Sequence, residues 1–223
     1  MTPTISLITT CKGRLRHLKQ TINQFLKQQV IEIIIIDYGC PNGTYKWCQS
    51  LNNNLIKCVI TARITDEFNI SRARNIGARA ASGNILFFVD ADNILPDQFV
   101  ANALAVITER QLDLCCPGID NLVSGICFVK SDVWLEMNGY DESMTGWGYD
   151  DIDFYNRVEM AGFSYGIWNN NGLKIIQHSD NESTQYYTIK DKHESAAINE
   201  KILFDRTRTI NTNGFGISLI DMI

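Results

Sequence analysis

Two aspartates, Asp90 and Asp92, close the segment NILFFVDADN at residues 84–93, directly after an apolar run. A strand that apolar is buried, and an unpartnered buried acid is costly, so the pair belongs where the strand surfaces or faces a positive group. Carboxylates spaced in this way are hard oxygen ligands suited to Mg2+ or Mn2+, ions that readily bridge phosphate oxygens. Isolated Asp-X-Asp triplets also recur in solvated turns, so the end of a core strand is what points to chemistry. A second acidic group, Asp150, Asp151 and Asp153, follows Gly146-Trp147-Gly148 in GWGYDDIDFYNR. At a helix start such acids are stabilised by the dipole and the free N–H groups, and for Asp150 or Asp153 alone a cap accounts for them. The flanking glycines free the backbone around Trp147, and a flat aromatic beside a carboxylate suits a sugar. His178, in KIIQHSD, follows a short apolar run; alone it reads as structural, but beside aspartates an imidazole would shift preference toward Mn2+.

These residues need positioning elements. TISLITT (residues 4–10) reads as a buried strand, followed by helical spacing of Leu15, Leu18, Ile22, Phe25 and Leu26. EIIIID ends a second strand at Asp37, and YGCPNGT is a turn. A short helix and the strand IKCVIT come next. SRARNIGARAAS is helical, with Ser71 as the expected N-cap and Gly83 as the expected stop. Strands alternating with helices imply βαβ units and a mostly parallel sheet, whose ligands sit beyond the carboxyl ends of the strands; Asp37, Asp90 and Asp92 all fall there. Past residue 111, LDLCCP, LVSGICFVK and GLKIIQH read as strands. SDVWLEM, DIDFYNRVEMAGF and HESAAINEKILFDR read as helices. The expected division is a catalytic domain at 1–181, with a nucleotide-binding half (1–110) and an acceptor half (111–181), and an extension at 182–223 packed on it.

Composition excludes several classes. The net charge of −5 argues against a general nucleic-acid binder, and the local basic clusters CKGRLRHLK and SRARNIGAR suit one small phosphorylated ligand. No GxGxxG follows the first strand and no GxxxxGK[ST] is present, so neither Gly-rich phosphate cradle applies. Seven cysteines, none spaced as CxxC, read as buried reduced thiols rather than zinc ligands. The N-terminus lacks a signal-peptide pattern, and the longest apolar stretch, VIEIIIID, is too short to span a bilayer. The expectation is a soluble cytoplasmic protein, able to work beside a membrane-bound assembly system.

Taken together, these segments resemble the inverting GT-A glycosyltransferases, above all the β-1,4-galactosyltransferase group and its bacterial capsule-polymerase relatives. CKGRLRHLK resembles the first-strand motif of that group, FNISRARNIGA its Phe-Asn-Arg segment, and FVDADN its DxD. The block from Gly125 to Arg157, SGICFVKSDVWLEMNGYDESMTGWGYDDIDFYNR with the Ser before it, is the most specific match; IIQHSD resembles the metal-binding His segment and NGFGISL faintly echoes the C-terminal end. The resemblance implies an α/β GT-A fold with a mostly parallel central sheet flanked by helices. It further implies a UDP-sugar donor (a hexose or N-acetylhexosamine) and a saccharide acceptor, with Mn2+ or Mg2+ as cofactor. Asp92 and His178 would hold the metal, with Asp90 on the ribose or a metal-bound water. Thr9, Arg14, Asp37, Arg72, Gly125 and Trp147 would line the donor site, with Arg14 and Arg72 on the diphosphate and Asp37 near the uridine. Trp147, Asp150 and Asp151 would meet the acceptor, and Asp151 would be the base. Departures are Ile175 at the position of the family's methionine ligand and Ile152 within the acidic run. Leu122, where galactose-specific relatives carry Tyr, implies room at the sugar 2-position and hence use of UDP-GalNAc at least equal to UDP-Gal. Two rivals share parts of this pattern: a nucleotidyltransferase, which needs no Trp147–Asp151 pair, and a non-catalytic sugar- or nucleotide-binding module.

Overall fold

The strand β1 (Ile5–Cys11) is buried along its whole length, as a strand covered on both faces must be. In the computed structural model, which describes residues 3–61, 67–118, 125–169, 172–205 and 210–211, it is an interior strand of the chain's main sheet. The helix α1 (Leu15–Leu26) follows, then β2 (Glu32–Asp37), α2 (Thr44–Ser50), β3 (Ile56–Ile60), α3 (Ile70–Ala80) and β4 (Ile85–Phe88). Beyond these come β5 (Asn93–Ile94), α4 (Phe99–Arg110), β6 (Leu114–Gly118), β7 (Cys127–Lys130), α5 (Ser131–Glu136) and α6 (Asp150–Met160). The described chain closes with β8 (Tyr165–Asn169), β9 (Lys174–Ile175), α7 (Asp180–Thr184) and α8 (Lys192–Phe204). Leu122 and the NGFGISL segment lie outside the described residues.

Among the described residues, seven strands pair in the order β3-β2-β1-β4-β7-β6-β8. The first four are mutually parallel, β6 and β8 are parallel to each other, and β7 runs antiparallel to both β4 and β6. Strand order therefore reverses between β1 and β4, and a crevice opens at their carboxyl ends. Successive residues feed opposite faces, as the period of two demands. Leu7, Ile33, Ile35, Phe87 and Phe128 enter one core with Leu18, Ile22 and Phe25 of α1 and Phe99 of α4. Ile8, Ile34, Ile36, Phe88 and Val129 enter the other with Ala73 and Ile76 of α3 and Phe154 and Val158 of α6. The rings of Phe87 and Phe128 stack with centroids 4.1 Å apart.

Both expected boundaries of α3 shift. Asn69 caps the helix, its side chain accepting from Arg72 N at 2.8 Å, two residues ahead of Ser71. The helix ends at Ala80, with Ala81 already extended. Gly83 instead permits a close approach between segments, since a Cβ there would lie 2.7 Å from Ser6 N and 2.9 Å from Thr4 O. Because those are backbone atoms at the neighbouring strand, Gly83→Ala is expected to cost about 1–3 kcal/mol of stability, read as a lower thermal midpoint. A Gly83→Ala protein as stable as the parent would contradict this close approach.

The turn before α6 is braced from inside. Arg157 is fully buried; its Nε donates to Asp153 Oδ2 at 2.9 Å, its Nη1 to Met137 O at 3.0 Å and its Nη2 to Gly139 O at 2.7 Å. The invariantly charged guanidinium thus holds the 137–139 turn against α6. All seven cysteines are free thiols, and six of them are buried.

Candidate active site

A cleft of about 800 Å³ opens at the β1/β4 crevice. Residues just past β1 (Lys12, Arg14), past β4 (Asp90, Asp92), from α3 (Arg74) and from the start of α6 (Asp150, Asp151) line it, together with Gly125, Trp147 and His178. Parallel strands end together, so acids and bases far apart in sequence meet here.

The wall built by α3 carries a cation that sequence reasoning passed over. Arg74, 4 % exposed, forms a close ion pair with Asp150 through Nη1; its Nη2 lies 3.3 Å from Asp90 Oδ1 and 3.4 Å from Gly125 O. Arg72 is placed elsewhere: its Nε donates to Glu142 Oε2 at 2.8 Å, and it does not line the cleft. Residues two apart lie on opposite sides of a helix. Arg74 shares its side with Ile70 and Gly77, and a Cβ on Gly77 would press into Ile8 of β1. That Ile70–Arg74–Gly77 stripe is the sequence signal for the inward arginine. Gly125 owes its lack of a side chain to the same pair, since a Cβ would lie 2.8 Å from Arg74 Nη2 and 2.9 Å from Asp90 Oδ2.

Charge balance here is tight. Burial pushes the Asp150 carboxyl up to about 7, with Asp151 and Asp90 adding repulsion and the Arg74 guanidinium opposing. Asp151 is 6 % exposed, and its Oδ1 accepts from Ile152 N at 2.8 Å. The two adjacent acids both line the cleft but differ in kind: Asp150 is committed to an ion pair, and Asp151 is held only by the main chain of Ile152.

Across the cleft, His178 Nε2 lies 2.8 Å from Asp92 Oδ2. A two-stranded ribbon sets this contact, because β5 pairs with β9 (Asn93↔Ile175) and Ile176 N donates to Asp92 O at 2.9 Å. Ser183 Oγ stands 3.1 Å from His178 Nδ1, fixing the ring from behind. Burial pushes the Asp92 carboxyl up, as does the charge on Asp90. Adjacent ligand atoms on an octahedral ion with bonds of about 2.1 Å sit about 3 Å apart, the spacing this pair presents. Among the described residues no three His, Cys, Asp or Glu side chains converge as a cage. The pair thus fits an ion of the Mg2+ or Mn2+ type that keeps water or substrate oxygens in its other positions. Ile175 offers only an apolar side chain to the cleft.

Arg14 lines the cleft, its Nη1 3.3 Å from Glu182 Oε1. Thr9 is buried and joins the face of β1 shared by Leu7 and Cys11, while Thr10 lines the cleft. Asp37 caps the turn after β2: its two oxygens accept from Cys40 N at 2.7 Å and Tyr45 N at 2.9 Å. Asp153 is bound to Arg157. The segment after His178 contributes Glu182, Tyr186, Tyr187 and Lys192 to the lining, with Lys192 Nζ 4.9 Å over the Trp147 ring; its polar sequence gives no sign of this.

The model of glycosyl transferase family 2 matches residues 6–129, and that of the N-terminal domain of galactosyltransferase matches residues 115–193. The glycosyltransferase GlyG of Streptococcus pneumoniae serotype 4 is 23% identical over 118 residues, 51% of this chain and 38% of that protein. The chain thus spans well under half of that relative's length. The mannosyltransferase PcManGT from Pyrobaculum calidifontis, solved with GDP-Man and Mn2+, superposes with a TM-score of 0.65 at 15% identity, covering 76% of this chain and 56% of that one. S. aureus TarS 1–349 in complex with UDP-GlcNAc does so with a TM-score of 0.65 at 13% identity, covering 92% and 67%. At such identities these structures establish the shared fold, the GT-A arrangement of a mostly parallel sheet between helices. With a family model spanning more than half of its length, and that sheet delivering paired aspartates to the crevice, the chain belongs to glycosyl transferase family 2.

Proposed function

We propose that the protein transfers a hexose or N-acetylhexosamine from a UDP-sugar to a hydroxyl of a saccharide acceptor, with inversion at the anomeric carbon. The observation that carries this reading is the gathering, in one cleft, of the Asp92–His178 pair, the cations Lys12 and Arg14, and the side chains of Asp151 and Trp147. Trp147 presents a flat, 42 % exposed ring for a sugar face. Asp151 accepts the proton of the attacking hydroxyl, and Arg14 and Lys12 neutralise charge on the departing diphosphate. Asp92 and His178 would hold a divalent ion, with Asp90 reaching its water or the ribose; when bound, such an ion supplies Lewis-acid stabilisation of the leaving group. Asp150, held by Arg74, fixes the first turn of α6 and so the aim of Asp151. The chain carries no helix, among the described residues, long and apolar enough to cross a membrane, and a place beside a membrane-bound assembly system in the cytoplasm remains part of this proposal.

The deciding experiment is UDP release from UDP-Gal, UDP-GalNAc, UDP-Glc and UDP-GlcNAc in Mn2+, with p-nitrophenyl glycosides as acceptors. From the resemblance that sets Leu122 in place of a Tyr, kcat/KM for UDP-GalNAc is expected to equal or exceed that for UDP-Gal. Release of pyrophosphate from a nucleoside triphosphate, with no UDP from any sugar donor, would replace this reading by nucleotidyl transfer. Excess chelator is expected to abolish turnover, and His178→Ala to raise the Mn2+ concentration needed for half-maximal activity by roughly 10- to 100-fold. Full turnover in chelator would remove Asp92 and His178 from the reaction.

A further inference from the structure

The Gly-Trp-Gly loop holds an unusual backbone. Gly146, Gly148 and Tyr149 have φ of +80°, +95° and +67°, respectively, and for Tyr149 that conformation persists only where the surroundings impose it. The surroundings come from α8, a helix the proposed reaction does not use. Ser195, fully buried, receives the Trp147 N–H on its Oγ at 2.7 Å. Asn199, 1 % exposed, donates from Nδ2 to Thr145 O at 3.1 Å and to Gly148 O at 2.8 Å. Beside it on α8, Glu200 accepts on Oε1 from Tyr149 Oη at 2.8 Å. The contact is close enough that a Cβ on Gly146 would fall on Ser195 Oγ.

We infer that Ser195 and Asn199 are positioning residues for the acceptor: α8 clamps the 145–149 loop so that Trp147 is already set when the acceptor arrives. The buried hydroxyl and the buried amide hold main-chain groups of the loop, so they act through its shape. Trp147 and Asp151 flank Tyr149, so the clamp also fixes the spacing between the sugar platform and the proposed base. This inference rests on the reading of Trp147 as the acceptor platform and not as part of the donor site.

Two measurements on the intact protein separate the clamp from that reading. Hydrogen–deuterium exchange over residues 145–149 is expected to speed up by roughly 3- to 10-fold in Ser195→Ala, and similarly in Asn199→Ala, with α3 protection unchanged. With p-nitrophenyl N-acetyl-β-glucosaminide as acceptor, the acceptor KM is expected to rise by roughly the same factor. The KM for the UDP-sugar that the parent turns over fastest, and the slow release of UDP into water, should stay as in the parent. Unchanged exchange in both variants overturns the clamp. Faster exchange with donor and acceptor KM rising together, or with neither rising, makes α8 a merely structural brace and overturns the positioning role. If the parent protein turns over no UDP-sugar at all, the functional reading falls, and the exchange data still decide whether α8 sets the loop.

Discussion

Asp151→Asn is expected to lower kcat by roughly 10²–10⁴-fold, the usual worth of a positioned general base, while leaving the Kd for the UDP-sugar within about twofold of the parent. The variant is nearly isosteric, and its side-chain oxygen can still accept from Ile152 N, as Asp151 Oδ1 does at 2.8 Å. What it loses is the capacity to take a proton. Asp150 cannot substitute, because its carboxylate is held by Arg74. The assignment fails if Asp151→Asn retains activity while a folded Asp150→Asn loses it.

The second large effect is on stability. Replacing Arg74 by Met leaves Asp150 buried without its cation, and removing one partner of such a pair costs about 3–5 kcal/mol. This loss should depend on pH. The Asp150 carboxyl already stands near 7 in the folded protein, against an unfolded value of about 3.9. Between those values the folded state binds more protons than the unfolded one, so this group's contribution to stability falls as pH rises. Without Arg74 to oppose it, the folded value rises further and the window extends upward. Arg74→Met should therefore unfold more easily at pH 8 than the parent by the full amount, and by clearly less at pH 5, where Asp150 is protonated. Denaturant midpoints at the two pH values test this, and an equal deficit at both would mean that the guanidinium does not balance Asp150.

Much of the cleft was legible because its residues stand at places where local pattern and chain topology agree. An apolar strand such as ILFF must surface somewhere, and the acids just past it, Asp90 and Asp92, mark where. The Gly-Trp-Gly triplet before an acidic helix start similarly marks the loop carrying Trp147 and the helix turn carrying Asp151. What local pattern could not supply was direction. In SRARN both arginines look alike in composition, and beyond the short Ile70–Arg74–Gly77 stripe only their angular positions on α3 separate Arg74 in the cleft from Arg72 beside Glu142. Thr9 and Thr10 face opposite sides of β1, so a one-residue choice decides which of them meets the cleft. The antiparallel run of β7 was equally hidden, since hydrophobic pattern carries no strand polarity. Asp37 stands at the end of a strand as expected, but the backbone of the following turn takes both of its oxygens. The residues after His178 were least legible, because a polar segment gives no periodic signal even when it folds over a site.

The β5–β9 ribbon has a consequence for how this cleft tolerates change. The distance between Asp92 and His178 is stored in main-chain hydrogen bonds, from the Asn93↔Ile175 pairing and from Ile176 N to Asp92 O. Such bonds are blind to side-chain identity. Position 175 can drift among residues that keep a strand without altering the spacing of the pair, and the ligand chemistry on offer beside it is uncoupled from the geometry that holds it. The Ile175 side chain itself offers no donor atom, yet Asp92 and His178 stay in register on either side of it.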